Sequence, residues 1–329
     1  MLVAACGGSS SGSENGPLQL ADMGSFHVGG RDVTISGQPT RDLALSPGGI
    51  TVRIDPNGTF SVEQAYVQYF VPASRRSILP ILFMHGGGMT GVEYETTPDG
   101  REGWLNYFLR RGWPVYNVDA VERGRAGWSQ TFEGAPIFLA KNEPFERFRI
   151  GNGAGSYTKR ELMPGSQFPI DAYDKFVRQF VPRWTTTDDA ALAAYIAAID
   201  RICPCAVIAH GQGGQLAFRA AEARADKIRA LVAVEPAGVG ETASIEKIKG
   251  VPVLALYGDF IDQDPRWPMI KGSGLRYFDE VRAAGGFVTV IDLPQIGITG
   301  NSHVMMMDRN NADIAAAINR WLAERGLWR

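Results

Sequence analysis

The chain has 329 residues, 45% of them apolar and 21% charged, the composition of an ordinary globular protein. Its net charge of −2 leaves no basic footprint, so nucleic acid is not an expected partner. No stretch approaches the roughly 18 apolar residues that would span a bilayer.

The chain opens on "MLVAACGGSSSGSENG". "LVAAC" resembles the end of a lipoprotein export signal, with Cys6 as the lipidated residue and a Gly/Ser tether behind it. This implies an exported protein, secreted or anchored in the periplasm, and residues 1 to about 25 are expected to carry no fold. Three alternating strands follow: "DVTIS" (32–36), "ITVRID" (50–55) and "FSVEQAYVQYFVP" (60–72), the last two joined by the turn "DPNG". Short apolar runs then recur at 78–88, 113–120, 205–211, 230–236, 251–259 and 287–294, the pattern of strands buried on both faces. Helical patterns lie between them, in "GWLNYFLRRG", "DDAALAAYIAAIDRI", "GGQLAFRAAEARAD", "RYFDEVRAAGG" and "NADIAAAINRWLAERG". This alternation predicts an α/β fold with a mostly parallel, doubly wound sheet and antiparallel strands at its N-terminal end.

Residues 126–190 break the alternation. The stretch is too long for a simple loop and reads as a cap over the carboxyl ends of the strands, where open α/β sheets bind ligands. Its aromatics (Trp128, Phe132, Phe138, Phe145, Phe148, Tyr157, Phe168, Tyr173) suggest an apolar or aromatic ligand, with Trp128 and Phe132 as candidate pocket residues. Cys203 and Cys205 flank Pro204; their spacing disfavours a mutual disulfide, and both are expected as buried thiols. Three cysteines with so few histidines argue against a zinc site, and no metal or cofactor is implied.

Four stations carry chemistry. "HGGGMTG" (85–91) directly follows an apolar strand, and its glycines Gly86, Gly87 and Gly88 allow close backbone approach, as a loop offering N–H groups to an oxyanion requires. "VIAHGQGGQLAFRAAEA" (207–223) has the strand–turn–helix shape of the G-x-S-x-G nucleophile turn, with small neighbours at Ala209, Gly213 and Gly214. Gln212 would supply a second oxyanion N–H, and His210 lies beside the pocket. Where a serine should stand, the chain has Gly211. His303, in "GNSHVMMMDRNN", falls late enough to be the base of a nucleophile–acid–histidine order. Two carboxylates end strands, Glu235 and Asp259; position alone favours Asp259, while either could instead cap a helix or pair with an arginine such as Arg266.

From about residue 60 to the C-terminus, the chain resembles a subgroup of secreted bacterial esterases of the α/β-hydrolase fold. The resemblance is dense in "HGGGMTGVEYETTPDGREGWLNYFLRRGWPVYNVDAVERGRA", "VEP", "PVLALYGDFIDQDPRW" and "GNSHVMMMDRNN". It implies one hydrolase domain over 26–329 with the cap inside it, a small ester or carbonyl substrate, Glu235 as the acid and His303 as the base, leaving Asp259 structural. The chain departs from the family twice. Some members carry adjacent cysteines where this chain has Gly87 and Gly88, and the family's H-S-Q reads His210-Gly211-Gln212 here.

Gly211 has no nucleophile, so acyl transfer through this position is lost while the binding apparatus remains. Three readings follow. The chain is a serine-esterase frame with its serine replaced. Alternatively, glycine is native and His303–Glu235 acts as a general base, for water attack or for lyase or retro-aldol chemistry. In the third, the chain is a non-catalytic binding protein.

Overall fold

The computed structural model describes residues 16–329; Cys6 and the export signal expected around it lie outside the described residues. An eight-stranded sheet runs through the molecule in the order β1-β4-β6-β5-β7-β8-β9-β10. Its strands are β1 (Leu20–Ile35), β4 (Gly58–Pro72), β5 (Ile81–Met84), β6 (Val115–Asp119), β7 (Cys205–His210), β8 (Ile228–Val234), β9 (Val253–Tyr257) and β10 (Val288–Asp292). β1 pairs antiparallel with β4 and β4 with β6, while every pairing from β6 to β10 is parallel.

One expectation at the front is corrected. β1 begins at Leu20, inside the stretch expected to carry no fold, because residues 20–25 pair with the end of β4. The run "ITVRID" joins neither β1 nor β4. It forms β3 (Thr51–Ile54), which pairs with β2 (Arg41–Ala44) in a separate exposed ribbon.

The central strands are buried on both faces, and alternation sorts their side chains into two cores. On β7, Val207 and Ala209 join a core covered by α5 (Asp188–Ile202), α6 (Gly211–Ala223), α7 (Ile245–Ile248) and α8 (Trp267–Ala283). Ala206 and Ile208 face the opposite core, under α1 (Trp104–Arg110) and α9 (Asn311–Glu324). Such continuous apolar strands need a helical layer on each side.

Residues 126–190 hold short helices, among them α2 (Asn142–Arg147), α3 (Ser156–Lys159) and α4 (Tyr173–Phe176). Phe145, Phe168, Tyr173 and Phe176 are buried, and their rings contact one another edge to face or tilted. These aromatics are therefore core residues, continuous with the core under α1 and α9.

Cys203 and Cys205 are joined in a disulfide, contrary to the expectation of separate thiols. A bend at Pro204 brings their α-carbons to 4.4 Å, within the range a disulfide spans, where an extended i, i+2 pair would be farther apart.

Candidate active site

The chemistry-bearing residues gather at the carboxyl ends of four neighbouring parallel strands. β5 leads into His85, β7 into Gly211, β8 into Glu235 and β9 into Gly258. Each strand delivers one backbone turn to the same edge, the usual ligand position in an open α/β sheet.

At the end of β7 the backbone turns sharply into α6. Gly211 has φ of +54°, a left-handed conformation costly for any residue with a side chain. Close packing dictates the next glycines: a β-carbon on Gly213 would collide with the backbone oxygen of His85 and lie 2.8 Å from that of Met84. One on Gly214 would lie 2.9 Å from Pro236. A β-carbon on Gly211, by contrast, meets no clash; its nearest neighbour would be Nε2 of His303, at 3.5 Å.

His303 and Glu235 are brought together. Nδ1 of His303 lies 2.7 Å from Oε2 of Glu235; a carboxylate only accepts, so Nδ1 carries the hydrogen and Nε2 presents its lone pair toward Gly211. Burial, reinforced by the charge of His210, holds the His303 pKa down to about 4, against the pull of Glu235 in the other direction. Glu235 is wholly buried and has φ of +39°. Burial would raise its pKa, but Arg149 and His303 outweigh burial and hold it at about 2.

Arg149 was not anticipated. Its Nη2 donates to Oε1 of Glu235 and its Nε to the carbonyl of Asp259 at 2.9 Å. Gly258 N–H also donates to Glu235 Oε1, at 2.8 Å. Asp259 itself accepts from the N–H groups of Phe260 and Gly300 and does not meet His303. Arg266 pairs with Asp264, not with either candidate acid.

The loop bearing His303 is fixed from several sides. His303 N–H donates to the carbonyl of Phe148 at 2.8 Å. The preceding Ser302 donates from both N–H and Oγ to the buried carboxyl of Asp308, at 2.8 and 2.9 Å. Burial raises that carboxyl to about 7, in spite of the hydrogen bonds from Asn301 and Ser302.

The glycine-rich loop divides its N–H groups. Gly86 donates to Oε1 of Glu93 at 3.1 Å, so this expected oxyanion donor is already engaged. Gly87 N–H has no acceptor among the described residues, and Gln212 N–H lies in the first turn of α6, where no intrahelical acceptor exists. Gly88, at φ +72°, accepts Val181 N–H at its carbonyl, 2.9 Å away. His85 anchors the loop's root, accepting Ala120 N–H at Nε2 and donating from Nδ1 to the Gly86 carbonyl.

The rings around His303 are Phe148, Trp267 and His210, with centroids at 5.0, 4.9 and 4.5 Å. Of the expected pocket residues, His210 is here. Trp128 is 65% exposed, and Phe132 packs on Trp184 at 5.8 Å, so neither reaches this group. Trp267 lies in a sequence block singled out for other reasons, and Phe148 was one aromatic among many. Among the described residues, no group of three or more His, Cys, Asp or Glu could hold a metal ion.

Comparison with known proteins gives the family. A novel bacterial esterase, solved at atomic resolution, superposes with a TM-score of 0.81 at 33% identity, covering 94% of this chain and 98% of that one. A probable secreted lipase, phiG, of a fungal species (strain ATCC 74256) is 26% identical over 326 residues, 82% of this chain and 88% of the relative. Residues 81–290 match the Alpha/beta hydrolase family. That match spans β5 through most of β10 and takes in the glycine-rich loop, Gly211 and Glu235: the chain belongs to the alpha/beta hydrolase family, among esterase and lipase relatives.

Proposed function

We propose that the chain is a carboxylic-ester hydrolase frame in which Glu235 and His303 form the acid–base pair and Gly211 occupies the nucleophile position. The carrying observation is the 3.5 Å from the Gly211 β-position to the free Nε2 of His303, at a backbone φ of +54°. A serine here would direct its hydroxyl at a base already oriented by a carboxylate, the relationship that acyl transfer needs. Gly87 and Gln212 N–H groups serve as the oxyanion donors. With glycine in place, acyl-enzyme formation is lost; in comparable serine enzymes that costs on the order of 10⁶ in turnover.

The substrate is a small ester seated against Phe148 and Trp267. The stretch 126–190 acts as a cap, a role supported by several points at which it meets the site, among them Phe148 O on His303, Arg149 on Glu235, Val181 N–H on Gly88, and Phe180 over Gly88 at 3.7 Å from its β-position. We place the protein outside the cytoplasm, with Cys6 as a lipid anchor. The leader sequence and the word "secreted" in the fungal relative's name support that placement.

A second reading keeps glycine as the working residue, with His303 as base for water attack or for proton abstraction from a carbonyl substrate. It is favoured by one observation: the 2.7 Å His303–Glu235 pair is fully formed without a serine. Short p-nitrophenyl esters separate the two. Gly211→Ser should hydrolyse them strongly while the unmutated chain does not. If the serine variant is folded and inert, and the unmutated chain turns over a carbonyl substrate, the second reading holds. Ligand binding with no turnover by either form would make the chain a binding protein.

A further inference from the structure

Behind His303 lies a second carboxylate–histidine pair that the reaction outlined above does not use. Glu93 sits in the short turn Gly91–Tyr94 and is buried. Its Oε1 accepts Gly86 N–H at 3.1 Å, and its Oε2 faces Nδ1 of His210 at 3.2 Å. The other ring nitrogen, Nε2 of His210, lies 3.0 Å from the carbonyl oxygen of His303. That carbonyl can only accept, so Nε2 carries a hydrogen; Nδ1, facing a carboxylate, carries one as well. Held between two acceptors, the ring favours its doubly protonated, imidazolium form. Burial works against its charge, but the Glu93 charge and hydrogen bond prevail and raise His210 above the ordinary histidine value.

The arrangement leaves little freedom. A β-carbon on residue 86 would stand 2.6 Å from Nδ1 of His210, so only glycine lets the loop pass this close. The His210 and His303 rings are 4.5 Å apart, centre to centre. Glu93 and Glu235 are the acidic groups acting on His210; Glu235, Arg149 and His210 are the charged groups acting on His303.

Taking His303 as the base, we propose that Glu93 is a positioning residue of the site: it holds His210 as a charged link that ties the glycine-rich loop to the His303 loop and sets a positive charge against the base. One carboxylate then does two things. It fixes Gly86 so that Gly87 N–H stays free, and through His210 it grips the His303 backbone. The charge it maintains disfavours a second cation on His303 and so adds to burial in holding that base below the ordinary histidine value.

Glu93→Gln is close to isosteric. Its amide oxygen can still accept Gly86 N–H, and its amide N–H can donate to a neutral His210 Nδ1, so the hydrogen-bond pattern survives and only the charge is lost. The sequence holds four histidines, so ¹⁵N-histidine NMR resolves each ring without any turnover. The unmutated chain should show a His210 titration midpoint above 6.5, with both ring nitrogens protonated at pH 6.5. In Glu93→Gln, His210 should be neutral at pH 7 and the His303 midpoint should rise by on the order of one pH unit. A neutral His210 at pH 6.5 in the unmutated chain overturns the proposal, and that measurement stands even if the variant fails to fold. A folded Glu93→Gln with an unmoved His303 midpoint overturns it equally. Neither result depends on whether Gly211→Ser hydrolyses esters.

Discussion

Arg149 donates a hydrogen bond to Oε1 of Glu235, the oxygen opposite the one that receives Nδ1 of His303. Both partners are buried, with 2% and 0% side-chain exposure. Replacing Arg149 by Met leaves a buried carboxylate with only Gly258 N–H and His303 to balance it, and breaking such a pair costs roughly 3–5 kcal/mol. Arg149→Met should therefore unfold at distinctly lower urea concentration than the unmutated chain. An unchanged midpoint would mean that Glu235 does not depend on this arginine.

The depressed basicity of His303 makes stability depend on pH. An unfolded chain protonates its histidines near 6.5, whereas folded His303 holds out to about 4. Between those values the unfolded state binds the extra proton. The contribution of neutral His303 is thus complete above pH 6.5 and is lost as pH falls to 4, about 3 kcal/mol over the window. Urea unfolding of the chain beside His303→Gln reads this directly. The stability difference between the two should shrink as pH drops from 6.5 to 4, and a constant difference would refute the depressed titration.

The same base sets the activity profile of the restored serine form. For Gly211→Ser, kcat/KM should keep its upper value down through pH 6 and fall only toward pH 4, since the free enzyme's base governs the acid limb. An acid limb centred near 6.5 would show that His303 titrates as an ordinary histidine.

Two neighbouring glycines should respond differently to alanine. At Gly211 the added β-carbon has room, 3.5 Å from its nearest neighbour, and the cost is backbone strain alone, about 1–2 kcal/mol. At Gly213 the added carbon meets the backbone oxygens of His85 and Met84, which cannot rotate away. Overpacking of this kind costs about 1–3 kcal/mol or more and would shift α6 against β5. Thermal unfolding should rank Gly213→Ala below Gly211→Ala. The reverse order would contradict the close packing of the turn.

Periodicity and punctuation set out β5 through β10 and the long helices, because strands buried on both faces and amphipathic helices write their environment into consecutive residues. The glycine-rich loop, the turn around Gly211 and the late position of His303 were equally legible, each being a local motif beside a strong strand or helix. Position along the chain pointed to Asp259 as the acid, and family resemblance to Glu235. In the structure Glu235 lies 2.7 Å from His303, whereas Asp259 is held by two backbone N–H groups.

Other features had no local signature. Glu93 and Arg149 are single charged residues in irregular segments, and nothing near them in sequence marks them as buried; their partners lie 117 and 86 positions away. The loss of Gly86 as a free donor follows from Glu93, and the bend at Pro204 turned an improbable cysteine spacing into a bond. By itself, then, the sequence determined the layered frame and the absence of a hydroxyl at residue 211, since backbone periodicity and side-chain identity are local properties. Only the tertiary structure decided which charges are balanced inside the site, because a buried charge is tolerable only beside a partner that the fold, not the chain order, brings to it.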